Sequence, residues 1–423
     1  MSDTIVALSS GRPPAAIGVI RTSGPRAKAA AEQLAGQLPP PRLATLRTLR
    51  HPASGTDLDT ALLLRFDGPS SATGEDIVEY QCHGGRAVVA AIVDALTSLP
   101  GLRLAEPGEF TRRALANGRL DLTEAEGLAD LLEAETESQR RVALALAGGA
   151  LSRQIEAWQQ QILTLSARAE AAIDYVGDED ETATDTAELR RDAVVLVAEL
   201  DQWLARPRAE RLKDGIRVVV AGPPNAGKSS LVNALAGSDR AIVTALPGTT
   251  RDSIEVPLSV DGVPLLLVDT AGLRDTSDPV EAIGVDRARI ETQRAEILLW
   301  LGDEQYAPHH SGLVMVRSKS DIEPHAKTGI NVSAVSGAGL HQLLAEISAR
   351  AASLLPAEGE VALNLRQATA LEEVKTLLAR APANLLLFAE TLRQTRAAMD
   401  RLTGRAGVED AIDALFSRFC LGK

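Results

Sequence analysis

Hydrophobic and polar positions change period several times along this chain. From residue 4 to about 118, apolar bursts at Ala15 to Ile20, Ala61 to Phe66 and Ile77 to Gln81 are interleaved with helix-like stretches at 26–37 and 87–98, which predicts a compact α+β domain. At Leu122-Thr-Glu-Ala-Glu126 the pattern lengthens, and Thr123 and Glu126 have the spacing of a capping box for a helix running to Gly148-Gly149. Leu151, Ile155, Trp158, Ile162, Leu165, Ala169 and Ala172 alternate steps of four and three. They fall on one stripe of a long helix, the seam of a bundle. Asp178 to Asp185 is acidic and poor in large apolar residues, which predicts a solvated loop before a third helix at about 186–205, closed by Pro207.

A second change comes at about residue 214. Ile216 to Ala221 is an apolar run, Ser229 to Ala236 is helix-like, and Ile254 to Val260, Asp261-Gly262 and Val263 to Val268 carry a hairpin signal. If Ile297 to Leu301 and Leu313 to Val316 are neighbouring parallel strands, only Gly302 to Gly312 joins them. A crossover with its helix needs at least about 10 to 12 residues, so that helix is expected to be missing or vestigial. After Pro356 the bundle spacing resumes with Leu385, Phe388, Leu392, Thr395, Met399 and Leu402. Either helical half alone would expose its apolar stripe, so the halves are expected to pack together with the α/β segment inserted between them in sequence. The predicted divisions are 1–118, 119–213, 214–353 and 354–423, a multidomain α+β and α/β chain.

Composition adds limits. The 423 residues suffice for about three domains of roughly 150 residues each, and 45% hydrophobic with only 3% aromatic residues favours helix over sandwich or barrel. Neither a membrane-length apolar run nor a signal-peptide pattern is visible, so the expected location is the cytoplasm. Cys82 and Cys420 are too few for a disulfide framework and lack metal-ligand spacing; no structural zinc is expected. The pair His309 and His310 reads as part of a solvated connector. A net charge of −13 argues against a broad basic nucleic-acid face and leaves any nucleic-acid substrate in need of a more basic partner.

The chemistry centres on Gly222-Pro-Pro-Asn-Ala-Gly-Lys-Ser229, a GxxxxGKS phosphate loop between an apolar run and a helix. Its glycines let backbone amides converge on phosphate, with Asn225, Ala226, Gly227, Lys228, Ser229 and Ser230 as contacts; Lys228 neutralises charge and the Ser229 hydroxyl is a hard magnesium ligand. Downstream lie Gly248-Thr249-Thr250-Arg251-Asp252 and Asp269-Thr270-Ala271-Gly272. Their order is that of a Ras-like GTPase. Thr250 would complete magnesium coordination, Asp269 would hold a magnesium-bound water, and the Gly272 amide would meet the γ-phosphate. Ser318-Lys319-Ser320-Asp321 followed by Ser333-Ala334-Val335 reads the base: the Asp321 carboxylate accepts from guanine's hydrogens, which favours GTP over ATP. The usual pattern there is NKxD, and Ser318 in place of Asn is expected to cost one side-chain bridge between base and phosphate loop. Leu273 stands where Ras-like enzymes carry a water-orienting glutamine; Asp275, Asp278 and Glu281 are the nearby replacements, with an exposed charged loop as the equal alternative.

These segments, the helical flanks, the blocks Gly18-Val-Ile-Arg-Thr-Ser-Gly24, Gly74-Glu-Asp-Ile-Val-Glu79 and Pro107-Gly-Glu-Phe-Thr111, and the tail Phe419-Cys-Leu-Gly-Lys423 together resemble the MnmE (TrmE) family of tRNA modification GTPases over nearly the whole chain. The resemblance implies a homodimer with an N-terminal folate-binding and dimerisation domain, a central helical bundle and an inserted G domain. It implies work with the flavin-dependent MnmG (GidA), in a heterotetrameric or larger complex, on carbon 5 of the wobble uridine of certain tRNAs. The one-carbon unit would come from 5,10-methylene-tetrahydrofolate, or a 5-formyl-tetrahydrofolate-like folate would occupy the site. By motif position Arg21, Glu79, Arg119 and Lys423 match folate contacts, with Arg119 replacing the usual lysine, a planar fork for a point donor. The likeness also assigns water orientation to Glu281 and a potassium site to Asn225, Thr244, Thr249 and the carbonyl of Leu246. Lys228 and Thr250 join Glu281 in the catalytic set, as does Cys420 by its place in the tail, a packing cysteine being the equal reading. Two other classes compete: a GTP-dependent assembly switch, which folate binding would exclude, and a dead structural scaffold, which the retained Lys228, Ser229, Thr250 and Asp269 oppose.

Overall fold

Strand β2 (Ile17–Ser23) shows how the first sheet is built: Gly18, Ile20 and Thr22 are buried while Val19 and Arg21 between them are half-buried, the alternation of a strand with one covered face. The computed structural model describes residues 3–174, 179–243, 255–270, 289–322, 328–357, 359–405, 409–419 and 422. They form two units, one of Met1–Ala129, Leu151–Glu156 and Met399–Lys423, the other of Asp130–Ala150 and Ala157–Ala398.

In the first unit β1 (Thr4–Leu8), β2, β3 (Thr45–Arg50), β4 (Asp57–Phe66), β5 (Ile77–His83) and β6 (Leu102–Leu104) form a sheet of order β3-β4-β5-β2-β1-β6. Only the β1/β6 pairing is parallel. Helices α1 (Ala27–Ala35) and α2 (Arg86–Thr97) cover one face, with Leu34, Ile92 and Leu96 in a core with Leu49, Leu63, Val78 and Tyr80. Each fully buried Leu or Ile contributes about 1.5–3 kcal/mol. Helix α3 (Glu109–Ala116) follows.

The long helix expected from 123 to 148 is two helices, α4 (Leu122–Glu133) and α5 (Glu137–Ala147). Their caps differ from the expected Thr123/Glu126 box. Asp121 Oδ1 accepts from the Glu124 amide at 2.9 Å while Glu124 Oε2 accepts from the Asp121 amide at 2.8 Å, so the reciprocal pair is shifted two residues back. Thr123 instead donates its hydroxyl to Asp121. A second box, Thr136 with Gln139, starts α5; a chain that offers a new cap three residues after Glu133 has its freed amides satisfied there. In the second unit α5 is tied to two later segments: the Ser138 amide donates to the Gly262 carbonyl at 3.3 Å, and Gln139 Nε2 to the Leu212 carbonyl at 2.8 Å.

The seam residues of α6 (Ala150–Asp174) are all buried, from Leu151 to Ala172. Helix α7 (Glu179–Leu204) takes in most of the acidic stretch expected as loop. Trp158 and Trp203 meet edge-on at 5.4 Å, worth about 0.5–1.5 kcal/mol beyond burial.

The second sheet follows α8 (Glu210–Asp214). Strands β7 (Ile216–Ala221), β8 (Ala241–Val243), β9 (Glu255–Val260), β10 (Val263–Asp269), β11 (Ile297–Trp300), β12 (Leu313–Arg317) and β13 (Ile330–Asn331) lie in the order β13-β12-β11-β7-β10-β9-β8. The hairpin signal is realised: Val263 pairs with Val260, and Asp261 and Gly262 have φ of 52° and 79°, the twisted two-residue turn such a ribbon prefers. Helices α9 (Lys228–Ala236) and α10 (Leu340–Leu354) pack on the sheet through Leu231, Leu235, Leu343 and Ile347. The crossover from β11 to its parallel neighbour β12 holds no α-helix, only a 3-10 turn at Glu304–Tyr306. His310 staples this shortened link. Its Nδ1 accepts from the Gly312 amide at 3.0 Å and its Nε2 lies 2.9 Å from the Ala295 carbonyl, so the residue expected in a solvated connector is a structural one.

Helices α11 (Leu365–Arg380), α12 (Leu385–Thr403) and α13 (Glu409–Phe416) complete the described elements. On α12 Phe388, Leu392, Thr395, Met399 and Leu402 are fully buried and Leu385 half-buried. The two helical halves meet where α11 lies along α7, with Lys375 Nζ 3.2 Å from Asp201. Among the described residues no helix is long and apolar enough to cross a membrane.

Candidate functional site

The first strand of the second sheet, β7, lies between β10 and β11, with β8 to β10 built out on one side of it and β11 to β13 then on the other, so the strand order switches sides at β7. A loop leaving the carboxyl end of such a strand sits at the crevice where open α/β sheets bind ligands. The loop after β7 is Gly222 to Gly227. Gly222 has φ of 151°, and a Cβ there would come 2.7 Å from the Leu301 carbonyl oxygen, so no other residue fits. Asn225 and Gly227 also have positive φ, 60° and 88°. Helix α9 then starts at Lys228 with no side-chain cap, leaving amides directed at whatever fills the loop. Lys228 is buried, and its Nζ donates to the carbonyls of Gly222 and Pro223 at 3.1 and 2.8 Å. A phosphate in the loop would offer that ammonium charged acceptors, which bind about twice as strongly as neutral ones.

Asp269 closes β10 beside this loop: it pairs in register with Val220 and is buried. Thr270 caps the strand through its hydroxyl to the Val220 carbonyl at 2.8 Å. Ser229 and Ser230 are exposed at the start of α9. A serine hydroxyl and a carboxylate are hard oxygen donors, a set that fits magnesium. Among the described residues no group of three or more His, Cys, Asp and Glu is placed to hold a metal.

On the base side, Ser318 follows β12 and its Oγ donates to the Ala226 carbonyl at 2.6 Å. The bridge to the phosphate loop that the serine was expected to forfeit is therefore present on the loop side. Lys319 is left-handed, φ 60°, and the turn it opens is fixed by Ile322 N to Lys319 O at 3.0 Å and Ser320 N to Val332 O at 3.1 Å. Asp321 stands exposed in that turn. Ser333 is fully buried, its hydroxyl accepting from the amides of Val335 and Ser336 at 3.2 and 3.1 Å. This folds the segment back beside Ala334. Thr244, Leu246, Thr249, Thr250, Gly272, Glu281, Cys420 and Lys423 lie outside the described residues, as do Leu273, Asp275 and Asp278.

In the first unit Arg21 and Glu79 face each other across β2 and β5. Arg21 Nε and Nη2 reach Glu79 Oε1 at 2.9 and 2.8 Å, and the guanidinium lies 5.7 Å from the Phe110 ring centroid. Both are partly exposed, an acceptor beside donors of the kind that suits a polar heterocycle, while Phe110 beneath the guanidinium is buried. Arg119 is exposed, with its Cγ passing close to Gly74. Gly422 is buried, φ 93°, and Ser9 Oγ donates to its carbonyl at 2.8 Å. Gly422 thus lies at the end of β1, the strand in which Ala7 is paired with Arg21.

The specific N-terminal blocks have a second use that their spacing does not disclose. Arg113, wholly buried, gathers Glu109, Glu75 and Asp3 at 2.9, 3.1 and 3.0 Å. Glu75 also accepts from Ser23 at 2.8 Å. Cys82 is a buried free thiol donating to the Gly18 carbonyl, its pKa pushed up by burial and by Asp59.

Comparison with known proteins decides the lineage. The family described as the GTP-binding protein TrmE N-terminus matches residues 4–119, and that described as the MnmE helical domain matches residues 122–420. The chain belongs to the MnmE family. Relatives called tRNA modification GTPase MnmE include one from Novosphingobium aromaticivorans, 53% identical with all of both chains covered. Another from Rhizorhabdus wittichii is 54% identical over all of this chain and 97% of its own, and one from Erythrobacter litoralis is 52% identical over the full length of both. An N-terminal α+β domain, a helical domain and a P-loop α/β domain are thus the architecture of this MnmE-family chain.

Proposed function

We propose that this MnmE-family chain is a GTP hydrolase whose turnover is coupled to modification of tRNA at carbon 5 of the wobble uridine, with a flavin-dependent MnmG partner and a methylene-tetrahydrofolate one-carbon unit. The observation that carries the reading is the phosphate loop, with Lys228 folded into its mouth and Asp269 buried at the end of the neighbouring strand β10, in a chain that matches tRNA modification GTPases end to end.

In this reading the amides from Asn225 to Ser230 and the Lys228 ammonium hold the phosphates. Ser229 and Thr250 would hold magnesium, with Asp269 on one of its waters; the ion would neutralise charge on the phosphate oxygens. Asp321 accepts from the N1 and N2 hydrogens of guanine beside Lys319, and the segment at Ser333 and Ala334 closes over the base. Gly272 and Thr250 sense the γ-phosphate. Glu281 orients the attacking water where Leu273 cannot. Asn225, Thr244, Leu246 and Thr249 would hold potassium, whose positive charge serves where other enzymes of this class insert an arginine.

Arg21, Glu79, Arg119 and Lys423 are assigned to the folate, and Cys420 stays a candidate thiol in the same tail. The divisions 1–118, 119–213, 214–353 and 354–423, a cytoplasmic homodimer and a complex with MnmG belong to this proposal. The test is a strain lacking its own tRNA modification GTPase, given this chain. Modified wobble uridine in nucleosides from its tRNA, lost on Lys228→Ala, supports the reading; unmodified tRNA despite active GTP hydrolysis would point to a GTP-dependent assembly switch.

A further inference from the structure

The serine that departs from the NKxD pattern divides two tasks that an asparagine performs together. We propose that Ser318 is a specificity-determining residue that ties down the phosphate loop and leaves N7 of guanine unread, so that the base is chosen by its N1 and N2 hydrogens alone. The inference rests on the assignment of Asp321 to guanine made above.

A serine hydroxyl carries one proton. Here it is given to the Ala226 carbonyl at 2.6 Å, a short bond in which the acceptor is held by the loop's own left-handed residues. Ser318 also packs on the loop: a Cβ at Gly227 would lie 3.9 Å from both its Cβ and its Oγ. The hydroxyl thus faces Ala226 and Gly227 on a side chain of two heavy atoms, with no second hydrogen for a ring nitrogen. An asparagine at this position would bring two N–H hydrogens and an oxygen on a longer arm, enough for the loop and the ring together.

Guanine offers N7 and O6 as acceptors and its N2 amino group as a donor. The Asp321 carboxylate accepts, so it engages the donor edge. The turn holding it is secured independently of Ser318 by Ser320 N to Val332 O and Ile322 N to Lys319 O. Loop tethering and base reading are therefore carried by different residues, and N7 receives no proton from Ser318.

Competition binding on the full chain separates the parts, with GTP, 7-deaza-GTP, in which N7 is replaced by C–H, and xanthosine triphosphate. Wild-type protein is expected to bind GTP and 7-deaza-GTP within about twofold, since no hydrogen bond is lost. Ser318→Ala is expected to weaken both alike by about three- to tenfold, the effect of one hydrogen bond. In Ser318→Asn a gap of about fivefold or more opens against 7-deaza-GTP as a new bond to N7 forms. A wild-type penalty of about tenfold against 7-deaza-GTP, the size of a lost bond, overturns the proposal without need of any variant. Asp321→Asn is the separate control: failure to shift preference toward xanthosine triphosphate removes the assignment of Asp321, whatever the 7-deaza result.

Discussion

Arg113 and Glu109 form a buried pair one helical turn apart, Nη2 to Oε1 at 2.9 Å, with no surface of the arginine side chain exposed. Burial alone would raise the Glu109 carboxyl, but hydrogen bonds from Arg103, the Glu106 amide and Arg113 outweigh it and hold the group below its ordinary value of 4.5. Its contribution to stability is therefore complete above that value and disappears as pH falls through the lower folded value. Thermal unfolding followed from pH 7 into the acid range should show the loss in the wild type and a shallower acid dependence in Glu109→Gln. Arg113→Met takes their shared partner from three carboxylates, Glu109, Glu75 and Asp3, and should cost about 3–5 kcal/mol, read as a lower midpoint for the unit containing β1 to β6.

The tail gives a sharper test of the folate assignment. A Cβ on Gly422 would fall 2.2 Å from the Leu8 carbonyl oxygen at a φ of 93°, so Gly422→Ala should push the tail off β1. Calorimetry with a tetrahydrofolate derivative is expected to show weakened binding, by more than the ~0.5–1.5 kcal/mol that Ser9→Ala loses with one hydrogen bond. GTP hydrolysis should be untouched. Unchanged folate affinity in Gly422→Ala would remove the tail from that pocket.

Turnover should be faster in potassium than in sodium at matched ionic strength, and equal rates would withdraw Asn225, Thr244, Leu246 and Thr249 as a potassium set. Glu281→Ala is expected to slow hydrolysis by about a hundredfold with GTP affinity nearly intact. Loss of binding along with turnover would make Glu281 a structural residue.

The shortened crossover predicts its own weak point. His310→Ala strands the Gly312 amide and the Ala295 carbonyl, a loss of about 1–3 kcal/mol for a buried unmet group, seen as a lower melting temperature. Gly312→Ala should be worse, because a Cβ there would lie 2.0 Å from the Glu296 carbonyl oxygen. If both variants melt with the wild type, the loop is free of the strands it joins.

Residues whose role is set by period are legible in the amino-acid sequence alone. Trp158 and Ile162, or Phe388 and Leu392, repeat at seam spacing and are buried. The phosphate loop is legible for a related reason: local backbone geometry dictates glycine at 222 and 227. What escapes such reading depends on partners distant in sequence. Nothing near Ser318 announces Ala226, 92 residues away, and nothing around Arg113 announces Asp3. Short-range choices mislead as well: Thr123 and Asp121 both offer a cap, and Asp121 takes it through Glu124.

The bond from Ser9 to Gly422 spans 413 residues. During synthesis β1 leaves the ribosome first, yet its neighbour arrives after Asp130–Ala150 and Ala157–Ala398, the residues of the other unit, have all been made. Closing so long a loop is slow when nothing holds its ends. The nucleotide domain is therefore translated, and free to bind GTP, before the residue that Ser9 holds has been made.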